Sequence, residues 1–320
     1  MLGCEIMASY IIGFIIGSLR NLMGMTMEEL AFNFIDPSGI SRIESGKRMP
    51  DKDTLEAIFQ KLGVNPNHLI TIFATNKDIL RQKATDTLDT CLFNRDIEGA
   101  TKAIHDLNEM VRVKKIKKDK LFDRYIHAAE IANNINANKY SAEESIDALN
   151  DAMELHYPKY NEKRIASYFL TMTDFRTLLM ISLLCFQQGD INRGKDILYN
   201  LKDNIEKNII DRMERGRRYP IIIYNLTNEL LNLNEYNEVI DLCYQGRKIC
   251  AETGCFELLP NIASNEADAN MGIKNKKAGI RLFLDACHAF RLFGNYEARE
   301  VLMDHVINNY DINLDNLMNP

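Results

Sequence analysis

Along residues 8–73, apolar side chains recur at three- and four-residue intervals in short runs. Each run is opened by a capping residue or closed by a glycine, a pattern that predicts five short helices. The first runs from about Ala8 to Met23 and stops at Gly24, a residue suited to the left-handed conformation just past a helix end. Thr26 opens the second, Met27 to Asn33, and Glu29 three residues on completes a capping box. Asp36-Pro37 opens the third, which covers Pro37 to Ser45 and ends at Gly46. Asp51 or Asp53 caps a fourth, whose Leu55, Ile58, Phe59 and Leu62 share a face and which Gly63 closes. Asn65-Pro66 opens a fifth, containing Leu69, Ile70 and Phe73.

From about residue 75 one amphipathic helix follows another, separated by short polar breaks. Five breaks share a form: NRDIEGA ending at Ala100, KYSAEES at Ser145, GDINRG at Gly194, NEYNEV at Val239 and KNKKA at Ala278. They are spaced by 45, 49, 45 and 39 residues. Helix pairs recurring at such periods predict a tetratricopeptide-like α-solenoid, with its concave face lined by the first helix of each pair. Seven prolines and sixteen glycines in 320 residues are few breakers, which agrees with an all-α chain.

Charge and chemistry narrow the function. Lys and Arg number 39 against 45 Asp and Glu, a net −6, which excludes a protein that coats nucleic acid over its whole surface and leaves a local basic face possible. The seven cysteines are odd in number and form no C-x-x-C pair, so reduced thiols in a cytoplasmic protein are expected, without zinc. The apolar stretch Tyr10 to Leu19 is too short to cross a bilayer. Only Glu5 is charged before it, so it lacks the basic start of a signal peptide. The six histidines show no metal-ligand spacing, and no phosphate-loop or nucleophile-elbow motif occurs, so neither an enzyme nor a cofactor is expected.

The second and third predicted helices make a helix-turn-helix, the third carrying small polar and basic side chains. The string TMEELAFNFIDPSGISRIESGKRMP, Thr26 to Pro50, resembles the phage-repressor (XRE, or Cro/C1-type) helix-turn-helix, and the likeness continues through DKDTLEAIFQKLGVNPNHL. Leu30, Ala31, Ile40 and Ile43 are the positions that lock helix three across helix two. The resemblance implies a five-helix DNA-binding domain at 8–73 that reads a double-stranded DNA operator. Its candidate contacts are Arg20, Thr26, Ser38, Gly39, Ser41, Arg42, Lys47 and Arg48. Ser38 and Arg42 are spaced i, i+4 and so share a face; Arg42 would fork onto a guanine or grip a phosphate. Lys47 and Arg48 follow the helix and would meet the backbone, while Glu44 is expected to orient an arginine or a backbone amide. Two departures stand out: Arg20 is the one basic residue between Gly13 and Asn21, and Met27 replaces the usual glutamine after the cap. Over residues 1–73 six basic residues face eight acidic ones, a balance of −2, so a homodimer is expected to supply enough phosphate contacts. Met1 to Ile6 precede the match and are expected to have no structural role.

The stretch from Tyr219 to Tyr310 resembles the repeat domain of Gram-positive peptide-sensing regulators, the Rgg, PlcR, PrgX, NprR and Rap group. In that group a repressor-type helix-turn-helix precedes tetratricopeptide repeats whose concave face binds a short signalling peptide. The resemblance implies a quorum-sensing transcriptional regulator, with residues 75–318 binding peptide and dimerising. Asn225 and Asn228, spaced i, i+3, and Asn261, Asn265 and Asp268 are the candidate groove residues, since an amide can both donate to and accept from an extended peptide backbone. The bland alternative is asparagine that faces solvent or caps helices. Two basic features have a functional and a solvated reading each. The cluster Arg212, Arg215, Arg217 and Arg218 could grip a peptide carboxylate, and Lys114 to Lys120 (KKIKKDK) could touch DNA flanking the operator. Two competing functions remain: a protein-interaction scaffold with a vestigial helix-turn-helix, and a phage- or plasmid-type repressor without a peptide ligand.

Overall fold

In a computed structural model, described over residues 2–31, 34–64, 76–208 and 211–318, every regular element among the described residues is helical. No helix among them is long and apolar enough to cross a membrane. The chain forms two compact units, Met1–Asp211 and Arg212–Pro320.

The first unit opens with α1 (Leu2–Leu22), α2 (Met27–Ala31), α3 (Pro37–Glu44) and α4 (Lys52–Lys61). Leu30, Ala31, Ile40 and Ile43 are buried together with Ile12, Ile16 and Ile58, so α3 is locked across α2 as the pattern predicts. α1 crosses α3 at Gly13, where a Cβ would stand 2.1 Å from the Ile43 carbonyl oxygen, so only glycine permits this approach. Gly46 takes φ +68° and ends α3, while the Lys47 amide reaches back to the Arg42 carbonyl at 2.9 Å. The capping box at the start of α2 is formed, with Thr26 N donating to Glu29 Oε2 at 2.7 Å and Glu29 N to Thr26 Oγ1 at 3.1 Å. Asp51 rather than Asp53 caps α4, accepting from Thr54 N at 2.9 Å. One boundary needs correction: α1 begins at Leu2, so Leu2–Ile6 belong to it; the segment holds no proline, and its one glycine, Gly3, lies in the first turn. The fifth predicted helix lies outside the described residues.

The same unit continues through α5 (Asn76–Phe93), α6 (Ile97–Arg112), α7 (Lys120–Asn136), α8 (Ala142–His156), a 3₁₀ turn (Glu162–Ser167), α9 (Met172–Gln187) and α10 (Ile191–Lys207). The second unit holds α11 (Arg212–Asn232), α12 (Tyr236–Thr253), α13 (Leu259–Gly272), α14 (Lys276–Leu292), α15 (Tyr296–Tyr310) and α16 (Asp315–Met318). Each polar break in the sequence opens the second helix of a pair. In every case the fourth residue of that helix is buried, namely Ala100, Ser145, Gly194, Val239 and Gly279. The last differs from expectation by one position, Gly279 taking the buried place instead of Ala278. A side chain there would strike Met271 of the preceding helix, 2.8 Å away.

The compact division at 211/212 leaves α1–α4 in one unit with the helices that follow as far as Asp211. The reason is a set of contacts out of α1–α4. Leu121 and Phe169 pack on its core, and the Arg81 guanidinium bridges Asp53 and Asp119, at 2.6 Å each.

Candidate nucleic-acid interface and peptide groove

On α3 the buried Ile40 and Ile43 direct the opposite face outward, and Ser38, Ser41 and Arg42 are exposed on it. Among the described residues none of these three side chains has a partner outside its own element. Thr26 at the start of α2 and Lys47 just past α3 are exposed as well, and Arg48 is half-buried. Two expected contacts are placed otherwise. Arg20 is turned inward: its Nε and Nη2 donate to the two Glu44 carboxylate oxygens at 2.6 and 2.9 Å, and Nη1 donates to the Met25 carbonyl at 2.8 Å. Its side chain is 11% exposed, and the hydrogen bonds to Glu44 raise its already high pKa. Glu44 thus orients an arginine, as its position on α3 suggested, and that arginine is Arg20. Gly39 is buried, and a Cβ there would stand 2.7 Å from the Ile35 side chain. It is a packing position rather than a contact surface.

The second unit carries a groove of about 950 Å³ on the face shared by α11, α13 and α15. That volume lies in the range of preformed ligand sites. Asn228, Asn261 and Asn265 line it, with Asp268 one turn beyond Asn265. Asn265 is 7% exposed and acts as a clamp: its amide donates to Asn228 Oδ1 at 2.7 Å and to Thr227 Oγ1 at 2.9 Å, tying α13 to α11. Asn228 therefore has its oxygen engaged and, among the described residues, its amide nitrogen open; Asn261 has no side-chain partner among them. Asn225 does not belong to the groove. Its amide donates back along its own helix to the Ile221 carbonyl at 2.8 Å, and it is Tyr224 and Asn228, spaced i, i+4, that line the groove from α11.

The far wall comes from α15, which sequence reasoning did not use. His305 Nε2 and Tyr310 Oη both approach Asp268 Oδ1, at 2.8 and 2.7 Å, and the Asn309 amide lies 2.9 Å from His305 Nδ1. The hydrogen bond to Asp268 holds the His305 imidazole above the ordinary histidine pKa, and burial followed by Asp268 pushes the Tyr310 phenol up. The i, i+4 pair His305 and Asn309 was the available signal. No lysine or arginine lines this groove among the described residues. Of the arginine cluster at the start of α11, two members are engaged elsewhere, Arg218 Nη2 on Glu214 Oε2 at 2.8 Å and Arg217 Nη1 on Glu214 Oε1 at 3.3 Å.

The first unit has its own apolar cavity of about 360 Å³ between α5, α7 and α9. Phe93, 89% exposed, and Leu183 stand at its edge. Asp89 bounds it, receiving Arg176 Nη1 and Tyr125 Oη at 2.8 Å each.

Residues 16–69 match the Helix-turn-helix family model. No curated protein sequence matches the chain. Bacillus thuringiensis PlcR in complex with the peptide PapR7 and DNA is similar in structure, with a TM-score of 0.57 at 16% identity, over 91% of this chain and 98% of that one. The apo form of PlcR gives 0.58 at 14% identity, over 92% and 98%. The Streptococcus vestibularis competence regulator ComR, in complex with its signalling peptide XIP, gives 0.50 at 14% identity, over 93% and 97%. The chain therefore carries a helix-turn-helix domain and, over 91% of its length, the fold of PlcR.

Proposed function

We propose that this chain is a DNA-binding transcriptional regulator controlled by a short signalling peptide bound in the groove of α11, α13 and α15. The observation that carries the DNA half is the outward set Ser38, Ser41, Arg42 and Lys47 on a helix-turn-helix whose recognition helix is clamped by Arg20 and Glu44. Arg42 reads a base edge or grips a phosphate, Thr26 and Arg48 flank it, and two copies of the chain supply the phosphate contacts that one acidic domain lacks.

The peptide half is supported by open amide groups on Asn228 and Asn261, in a preformed groove large enough for several residues of extended chain. PlcR and ComR, whose structures this chain resembles, are described in complex with peptides, and PlcR with DNA as well. The test is a gel-shift series on the duplex upstream of this chain's own gene, with and without candidate peptides, alongside light scattering. A peptide-dependent shift by a dimer is expected. DNA binding indifferent to every peptide would favour a plain repressor, and no DNA binding at all would favour the scaffold reading.

A further inference from the structure

The lysine run KKIKKDK joins α6 to α7, about fifty residues beyond the described part of the helix-turn-helix, yet it folds back against it. Lys120 Nζ lies 3.0 Å from Asp36 Oδ1, at the residue preceding α3, and Lys117 Nζ lies 3.3 Å from Asp51 Oδ2, at the residue preceding α4. These two acidic side chains bracket the recognition segment, so the loop reaches both of its ends. The loop is also anchored. Ile116 is buried, Asp119 takes Arg81 Nη1 at 2.6 Å, and the same nitrogen donates to the Lys117 carbonyl at 3.2 Å. Lys114 and Lys115 are exposed and without side-chain partners among the described residues. Lys118 is exposed and, among the described residues, meets the exposed Asp123, at 3.2 Å.

We propose that this loop is a second DNA-contacting strip, in which Lys114, Lys115 and Lys118 hold backbone phosphates flanking the recognition helix. The physical argument is charge. Residues 1–73 carry −2, too little positive charge to hold a polyanion, and the run from Lys114 to Lys120 brings five lysines and one aspartate to the same surface. Lys117 and Lys120 neutralise the carboxylates that would otherwise repel phosphate at the two ends of the segment. Among the described residues Lys114 and Lys115 have no carboxylate to neutralise, and Lys118 has one exposed carboxylate, Asp123, which is itself open to solvent. Phosphate contact needs only charge in the right place and makes no demand on sequence.

This inference rests on the DNA-binding reading above, and the experiment separates the two. In the full-length chain, Lys114, Lys115 and Lys118 are replaced together by Gln, leaving the anchoring Lys117 and Lys120 intact. Affinity for the duplex upstream of the chain's own gene, and for a scrambled duplex, is measured by fluorescence anisotropy across a series of salt concentrations. Each phosphate contact contributes about 0.9 to the slope of log affinity against log salt. Three lost contacts should therefore leave the variant's affinity falling about forty-fold less than that of the wild type between roughly 50 and 200 mM salt. The loss should be equal on both duplexes, and Lys→Arg replacements at the same positions should keep the wild-type slope. An unchanged slope and affinity in the Gln variant would overturn the strip while leaving DNA binding standing. Tighter binding by the variant would overturn it too and make the loop a shield. A wild type that binds neither duplex overturns the DNA-binding reading and the strip together.

Discussion

Arg20 separates two accounts of the helix-turn-helix, and they predict opposite phenotypes for Arg20→Ala. If Arg20 were a phosphate contact, its loss would leave the fold intact and lower the salt slope of DNA binding by about 0.9. The structure gives it another task. Two charge-assisted hydrogen bonds to Glu44, at 2.6 and 2.9 Å, and a third to the Met25 carbonyl join the end of α1 to the end of α3. Removing the guanidinium leaves the Glu44 carboxylate, 12% exposed, without its partner. A hydrogen bond to a charged group is worth about 1.5–3 kcal/mol, and the residual exposure of both side chains moves the expectation to about 2 kcal/mol. For a unit of this size that corresponds to a melting temperature lowered by roughly 4–8 °C. Glu44→Ala should cost a similar amount, and the double substitution should cost clearly less than the two together. Arg20→Lys should not rescue, because an ammonium cannot reproduce the two-pronged fit. The assays are thermal melting by circular dichroism and DNA affinity against salt. Wild-type melting of Arg20→Ala with a reduced slope would refute the clamp and return Arg20 to the DNA surface.

Three further outcomes follow from the sites. Arg42→Ala should weaken specific operator binding by about 1–3 kcal/mol, roughly five- to 150-fold, with unchanged circular dichroism; wild-type affinity would mean that the recognition face lies elsewhere. In the groove, Asn228→Ala should weaken peptide binding by about 1 kcal/mol, roughly fivefold, in calorimetric titration. Asn225→Ala should leave peptide binding unaltered, and Asn265→Ala should lower the melting temperature because it unties α13 from α11. The His305–Asp268 pair makes a pH-dependent contribution. Because the folded pKa of His305 is raised, the contribution is fully present below the ordinary histidine value of about 6.5 and is lost as pH climbs through the folded value. Asp268→Asn should lower the His305 titration midpoint followed by NMR and flatten the melting temperature over that pH window; an unmoved midpoint would show that Asp268 does not hold the imidazole. Tyr310, Asn309 and Phe283 also face His305 and remain in that variant.

The local order of this chain was legible in its residues, because helix starts, stops and faces depend on neighbours three to six positions away. Thr26 with Glu29, Pro37 at the head of α3 and Gly46 at its end mark their elements without reference to the rest of the molecule. The polar breaks likewise located the second helix of each pair, since the fourth residue of such a helix must be small or aliphatic to lie against its predecessor. Even the stripe of Asn261, Asn265 and Asp268 followed from helical spacing alone. What spacing could not decide is which distant group each side chain meets. Arg20 and Arg42 are both basic residues of one small domain, and only the approach of α1 to α3, through the space left by Gly13, hands one to Glu44 and leaves the other in solvent. Asn225 and Asn228 sit on one helix within a turn of each other, and the arrival of Asn265 from α13 selects the second. Lys120 meets Asp36 across 84 positions of chain. Such pairings are set by how whole helices pack, a long-range property that no short window of sequence contains.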